Sequence, residues 1–389
     1  MTTRRGFLRR SALSGAGGLL GSLPLARAAA PLTRSFAPQR LMNGEALQTQ
    51  DFNGAGSLRV HAEARRLLTG CAVIPGKLRD DPEYASLVAA QANIVVPENA
   101  LKWEQLRPAV GLFNFTEADA VVAFAAAHGQ RVRGHTLCWH NQLPRWFAST
   151  ATPENARQLL TEHIQRVAGR YAGRMHSWDV VNEAVDSENG RSDGLRNTPW
   201  LALLGDDYIE YAFKTAHAAD PQALLTYNDF DIELDTPEQA RKRAKILQLV
   251  RKLKARGTPI DALGIQSHLG TTEAPAGAGL RSFVRELRRL GLQVFITELD
   301  VNDRKADGLV PDRDQAVARV YAQYLGLMLA EPNVTAVLTW GITDRYTWVG
   351  NKDPRPDGTP PRPLPFGPDY RPAPAFFAVR DSFDARTLA

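Results

Sequence analysis

From residue 68 onward the chain alternates between short apolar runs and longer amphipathic stretches, almost without a break. Eight such runs stand at residues 68–73, 92–96, 131–139, 177–182, 223–227, 262–266, 293–297 and 335–340. Alternation of this kind reads as a parallel sheet with helical crossovers, because parallel neighbours need long connections. Eight is also the strand number that closes a barrel of this type. The expected fold is therefore α/β, a single (β/α)8 TIM barrel. An open, doubly wound sheet would want a Gly-rich turn after an early strand, and no G-x-G-x-x-G stands there.

Several helix boundaries are written in the side chains. Asp81 before Pro82 reads as a cap with proline at the first helical position. Thr116 precedes "EADAVVAFAAAH", and Gly129 follows as a left-handed stop. Thr152-Pro153 opens a long helical run, and Thr236-Pro237-Glu238-Gln239 has the form of a capping box. The proline-rich stretch 351–374 reads as a long loop at the barrel mouth, with "AFFAVRDSFDA" as one closing helix.

The first residues belong to another class. Residues 1–28 carry five arginines and no acid, then a weakly apolar, Gly-rich run ending in Ala26-Arg27-Ala28. Charged start, short apolar middle and small-residue end are the parts of an export signal. Arg4-Arg5-Gly6-Phe7-Leu8 gives it a twin-arginine form, so export to the periplasm or beyond is expected. The run is too short and too broken for a membrane anchor. Residues 29–57, rich in Pro, Gly, Gln and Asn, read as an extension that is poorly ordered or wraps the domain, which then occupies 58–389. The formal charge of +5 belongs to the leader; without its five arginines, 42 basic residues face 42 acidic ones. No basic footprint for nucleic acid survives. Cys71 and Cys138 both lie in apolar, strand-like runs and are expected to be buried free thiols.

Functional groups of such a barrel sit at the C-terminal ends of its strands. There the chain carries Glu98, Asn99 and Lys102; His135, Trp139, His140 and Gln142; Asp179, Asn182 and Glu183; "TYNDFD"; Gln266 and His268; Glu298 and Asp300; and Trp340 and Trp348. Strand parity sets Asp179, Val181 and Glu183 on one face, and likewise Val294, Ile296 and Glu298. On that count Val181, Val294 and Ile296 fill the barrel beneath the two glutamates, and Asp179 needs a partner at depth, for which His135 is placed. Two carboxylates ringed by Trp, amides and His point to glycoside hydrolysis. Trp faces stack on sugar rings, amides and imidazoles bind hydroxyls, and one carboxyl must be a protonated acid while the other is ionised. A single such Glu would more often be a helix cap; the joint pattern over seven strand ends is not explained that way. A metal hydrolase would want paired His ligands, and His135 and His140 form no such pattern. Nor is there a G-x-S-x-G elbow or a P-loop. No metal and no cofactor are expected.

The stretches "VPENALKWE", "RGHTLCWHNQLPRW", "WDVVNEAVD", "YND", "GIQSHL", "ITELDV" and "TWGITD…TW", in this order, resemble glycoside hydrolase family 10, the retaining endo-β-1,4-xylanases. The resemblance runs from about residue 68 to the C-terminus. It implies Glu183 as general acid/base and Glu298 as nucleophile. It further implies that Asn182 binds the sugar 2-hydroxyl and that His268 and Asp300 form a relay holding the nucleophile ionised. Lys102, His135, Trp340 and Trp348 would wall the reacting subsite. Glu98, Asn99 and Gln142 would bind the reacting or the next sugar, Trp139 would line the same cleft, and Gln266 would lie near the nucleophile. The partners implied are xylan and xylo-oligosaccharides, acted on by a monomer that binds neither nucleic acid nor, once its leader is removed, a membrane. A related β-1,4-glycanase, an oligosaccharide-preferring β-xylanase and a non-catalytic carbohydrate-binding protein are the competing readings. Asp231 and Arg345 depart from the family pattern, which often has Asn and Ser there. An arginine at the mouth would suit pairing with acidic branches of xylan; the alternative is that it braces its own loop.

Overall fold

A computed structural model describes residues 52–387, apart from residue 274. The stretch expected to be an export signal, residues 1–28, and most of the expected extension lie outside the described residues. The parallel strands are β1 (Leu68–Val73), β2 (Ile94–Pro97), β3 (Arg131–Cys138), β4 (Ser177–Asn182), β5 (Leu224–Asp229), β6 (Ala262–Ile265), β7 (His268–Gly270), β8 (Gln293–Asn302) and β9 (Val334–Thr339). Each of β1 to β5 pairs with the next, β6 pairs with β8, β8 with β9, and β9 with β1, which closes a barrel of eight. The ninth, β7, is a spur: it pairs only with the outer end of β8, His268 opposite Asp300. Every expected strand is present, with ends shifted by no more than a few residues.

The helices start where short polar side chains can take their free N–H groups. Asp81 accepts from Tyr84 N–H at 3.1 Å and caps α3 (Pro82–Gln91), with Pro82 at its first position. Thr236 accepts from Gln239 N–H and caps α10 (Pro237–Ala255). The other half of the expected capping box is not made: the Gln239 side chain accepts from Leu234 N–H at 2.6 Å, tying the helix to the loop before it. Two more starts move. Helix α5 (Thr116–Ala127) includes Thr116, whose N–H goes to Asn114. Helix α7 (Ala156–Arg170) begins three residues after Pro153, because Asn155 folds back on Thr152 in a turn. Gly129 has φ +62°, the left-handed stop expected of it.

Two apolar layers follow. The larger lies between barrel and helices and holds Trp178, Val180, Val181, Tyr227, Val294, Ile296 and Leu299, among others. The smaller fills the barrel: Ala72, Ile94, Val96, Ala262, Phe295, Ala336, Leu338 and Trp340. This overturns the parity expectation. Val181, Val294 and Ile296 face the helices, while Asp179 and Phe295 face inward. The cause is one extra residue in each strand. In β4 the register against β5 slips between Asp179 and Val181, and in β8 the register against β9 slips between Ile296 and Leu299. A bulge of this kind resets which face the following side chains take. Asn182, Glu183 and Glu298 therefore reach the mouth although the residues two positions earlier face outward.

Residues 52–57 pack on the barrel: Phe52 lies 6.0 Å from the Phe366 ring, and its carbonyl accepts from Gln91. The proline-rich loop leaves the mouth, where Asp353 accepts from Asn302 and pairs with Arg304. It is then pinned by Arg355 and Arg362, which pair with Asp303 and Asp314. Cys71 and Cys138 are buried free thiols, and burial pushes the Cys71 thiol up to about 12.

Candidate active site

The barrel floor under the site is polar on one side. Arg133, fully buried, forks onto Asp179, its Nε 3.1 Å from Oδ1. His135 Nδ1 lies 2.7 Å from Asp179 Oδ2, so the depth partner expected for Asp179 is there. Arg133 is the partner that sequence reading missed. Burial pushes the Asp179 carboxyl up to about 6 against the pull of the Arg133 charge. Burial also holds the His135 imidazole well below its usual value, hence neutral. With an acceptor at Nδ1, its proton sits on Nδ1 and Nε2 is left as an acceptor.

Above this floor a chain of amides joins the two glutamates. Asn228 Nδ2 donates to Glu298 Oε1 and to Asn182 Oδ1, both at 2.9 Å. Asn182 Nδ2 in turn lies 3.3 Å from Glu183 Oε1, which also accepts from Gln266 Nε2 at 3.0 Å. Asn228 is itself fixed by Thr297 Oγ1, which donates to its Oδ1 at 2.8 Å. Gly264 leaves room for this: a Cβ there would fall 2.2 Å from Asn228 Oδ1. Asn228 was legible only as part of "TYNDFD". Its inward position follows from β5 staying regular, with Thr226 and Asn228 opposite Ala262 and Gly264.

On its other side Glu298 meets an imidazole. His268 Nε2 is 3.3 Å from Glu298 Oε2, and Nδ1 is 3.0 Å from Asp300 Oδ1. Trp348 Nε1 donates to Asp300 Oδ2 at 2.7 Å. Burial would lower the His268 pKa, but the Asp300 and Glu298 carboxylates outweigh it and hold the ring well above its usual value, as imidazolium. Burial would raise the Glu298 pKa, but the His268 hydrogen bond and the His268 and Arg133 charges outweigh it and hold the carboxyl low. Glu183 goes the other way. Burial raises it, and the Asp229 and Glu298 charges add to the rise, while Gln266 and the Trp139 indole lower it only in part. Two carboxyls joined by one hydrogen-bond chain are thus pushed apart, one towards acid, one towards anion.

The remaining residues line the same mouth. Lys102, almost fully buried, donates to Asn99 Oδ1 at 3.0 Å, and Asn99 donates to Glu98. Its ammonium lies 5.2 Å from the Trp139 ring and 5.7 Å from the Trp340 ring. Burial lowers its pKa against the pull of Glu298, Glu98 and Glu183. The His135 ring is 5.3 Å from Trp340. Gln142 stands apart, exposed at the rim with φ +50°, its carbonyl accepting from Glu104 N–H. Arg345 braces its own loop: Nη1 donates to Pro368 O at 3.2 Å and the guanidinium lies 5.4 Å from the Tyr370 ring. Among the described residues no group of three or more His, Cys, Asp or Glu side chains is arranged to hold a metal ion.

Comparison with known proteins gives a consistent picture. A family model described as glycosyl hydrolase family 10 matches residues 57–382. An endo-1,4-beta-xylanase A of Thermoanaerobacterium saccharolyticum is 38% identical over 327 residues, which is 80% of this chain and 26% of that protein. The chain thus spans only about a quarter of that relative. It spans far more of an endo-1,4-beta-xylanase B of Paenibacillus barcinonensis, 36% identical over 80% of this chain and 93% of that one. Among solved structures, xylanase 10B of Thermotoga petrophila in complex with xylobiose superposes with a TM-score of 0.76 at 33% identity, over 84% of this chain and 97% of the other.

Proposed function

The chain belongs to glycosyl hydrolase family 10, and from that premise and the site geometry we propose that it is an endo-β-1,4-xylanase that hydrolyses internal xylosidic bonds with retention. The observation that carries the reading is the opposed tuning of two linked carboxyls, Glu183 up and Glu298 down. Glu298, ionised beside the His268 imidazolium, attacks the anomeric carbon. Glu183 gives its proton to the departing glycosidic oxygen, so the leaving chain departs neutral and a glycosyl ester with Glu298 remains. That ester removes the negative charge that helped to raise Glu183, so its pKa falls; having given up its proton, Glu183 stays ionised and can take a proton from the incoming water. The water oxygen bonds to the anomeric carbon, the ester bond breaks, and Glu298 leaves as carboxylate. Two inversions at one carbon give retention.

Asn228 holds the nucleophile on the side away from His268 and passes order to Asn182 and Glu183. Lys102, Trp139 and Trp340 give the mouth a cationic and an aromatic wall, which suits hydroxyl binding and ring stacking. The test is reducing-sugar release from xylan, cellulose and short xylo-oligosaccharides, with the anomer of the first product read by proton NMR. Xylan hydrolysis with a β product is expected. Binding without hydrolysis, or an α product, would sink the reading. Glu298→Ala should abolish turnover in a folded protein. Glu183→Ala should lose about 10²- to 10⁴-fold on xylan but far less on aryl xylobiosides with good leaving groups.

A further inference from the structure

Between Gln266, which bonds Glu183, and His268, which bonds Glu298, lies Ser267. Its φ is +66°, a left-handed conformation that side-chain-bearing residues adopt only when held. Here the strand breaks: β6 ends at Ile265, and β7 starts three residues on, at His268. The break lets two neighbouring side chains serve two different carboxyls. What holds it is a side chain from another element. Glu233, in the loop after β5, accepts from Ser267 N–H at 2.9 Å through Oε1 and from Ile232 N–H at 2.7 Å through Oε2.

We propose that Glu233 is a positioning residue: by anchoring the left-handed turn at Ser267 it sets the partners of both catalytic carboxyls at once. The inference rests on the roles given above to Glu183 and Glu298.

Two further observations support it. Glu233 is only 2% exposed, and among the described residues no cation lies within ion-pair distance of its carboxyl. Burying such a group is costly, and a residue kept only for packing would be apolar. Burial pushes its pKa up to about 7, against the pull of its backbone hydrogen bonds. The charged and titratable groups facing it are Asp231 on its own loop, Arg243 on α10 and Tyr324 on α12 (Val310–Met328). Arg243 donates to Ile232 O and Leu234 O, so it holds the backbone on both sides of Glu233. Tyr324 OH meets Ser267 Oγ at 2.7 Å and closes the turn from behind.

The test is the pH profile of kcat/KM for Glu233→Gln, measured beside the wild type on xylan, where both carboxyls set the limbs, and on an aryl xylobioside, where the acid limb reports Glu298 by itself. An amide can accept one of the two N–H groups but turns its NH2 towards the other. Gln266 and His268 then lose their aim together. Each bond favours a carboxylate, so losing it raises that carboxyl's pKa. Both limbs of the bell are expected to move to higher pH, with kcat/KM down by about 10- to 100-fold, as sub-ångström misplacement can cause. A residue that served stability alone would lower the melting temperature and leave the limbs in place. A folded Glu233→Gln with superimposable limbs and activity within twofold overturns the inference. Should that variant not fold, Glu233→Asp keeps the charge without the reach and is expected to shift the limbs the same way; unshifted limbs again overturn it. A wild type that does not cleave xylan would instead overturn the proposed function, so the two failures are distinguishable.

Discussion

Replacing His268 by Gln tests the electrostatic core of the site. The imidazolium sits 3.3 Å from Glu298 and 3.0 Å from Asp300. Two unit charges 3.3 Å apart attract by roughly 5 kcal/mol at an effective dielectric constant of about 20. The His268 side chain is 25% exposed and Glu298 only 7%, so solvent screens part of this, and Arg133 and Lys102 still act on Glu298. One pH unit corresponds to about 1.4 kcal/mol, and an opposite charge at this range typically moves a carboxyl by about 1–3 units. Removing the positive charge raises the Glu298 pKa. The nucleophile is then protonated over a wider acid range, and activity returns only as pH rises through the new value. The acid limb of kcat/KM should therefore move up by at least about one unit. The assay is initial-rate hydrolysis of an aryl xylobioside from about pH 3 to 9, since a good leaving group needs little help from Glu183. A limb that stays within a few tenths of a unit would refute the claim that His268 keeps the nucleophile ionised.

Other perturbations reach the same structure from elsewhere. Gly264→Ala puts a Cβ 2.2 Å from Asn228 Oδ1 and 2.9 Å from Thr297 Cγ2, so Asn228 must leave its place. Orphaning its bond to Glu298 should cost about 1–3 kcal/mol in the barrier, a fall of roughly 5- to 150-fold in kcat, and activity within twofold of wild type would show that Asn228 is not needed there. Away from the mouth, Asp303 is fully buried and accepts from Arg313 Nε at 2.8 Å and from Arg362 N–H at 3.1 Å, with Arg355 beside it. Asp303→Ala leaves buried guanidinium groups without their carboxylate and should cost about 3–5 kcal/mol, read as a lower urea midpoint; a loss under about 1 kcal/mol would contradict the network.

The fold was legible because its signals are local. Eight apolar runs bounded by caps, Pro and Gly need no tertiary information, since a parallel strand buried on both faces must be apolar throughout. The site was legible as a set for a related reason: polar groups at strand ends are costly unless used. Glu183, Glu298, His268 and Asp300 could be named from the chain, and so could Asp179 with His135. Their directions could not. Alternation predicts a face only while a strand stays regular, and one inserted residue in β4 and another in β8 invert it. Arg133 and Asn228 were hidden for another reason: they lie in plain strand sequence and become site residues only through neighbours 46 to 70 positions away.

The sequence by itself determined the barrel, its order of strands and the two carboxyls at its mouth, because backbone periodicity and the cost of burying charge act residue by residue. Only the tertiary structure supplied the surroundings that push the two carboxyls apart. Burial and the Asp229 and Glu298 charges raise Glu183, the His268 imidazolium holds Glu298 down, and the side chains that bond the two carboxyls meet at a left-handed turn that a distant Glu233 anchors. A pKa belongs to an environment, and no stretch of chain carries its environment with it.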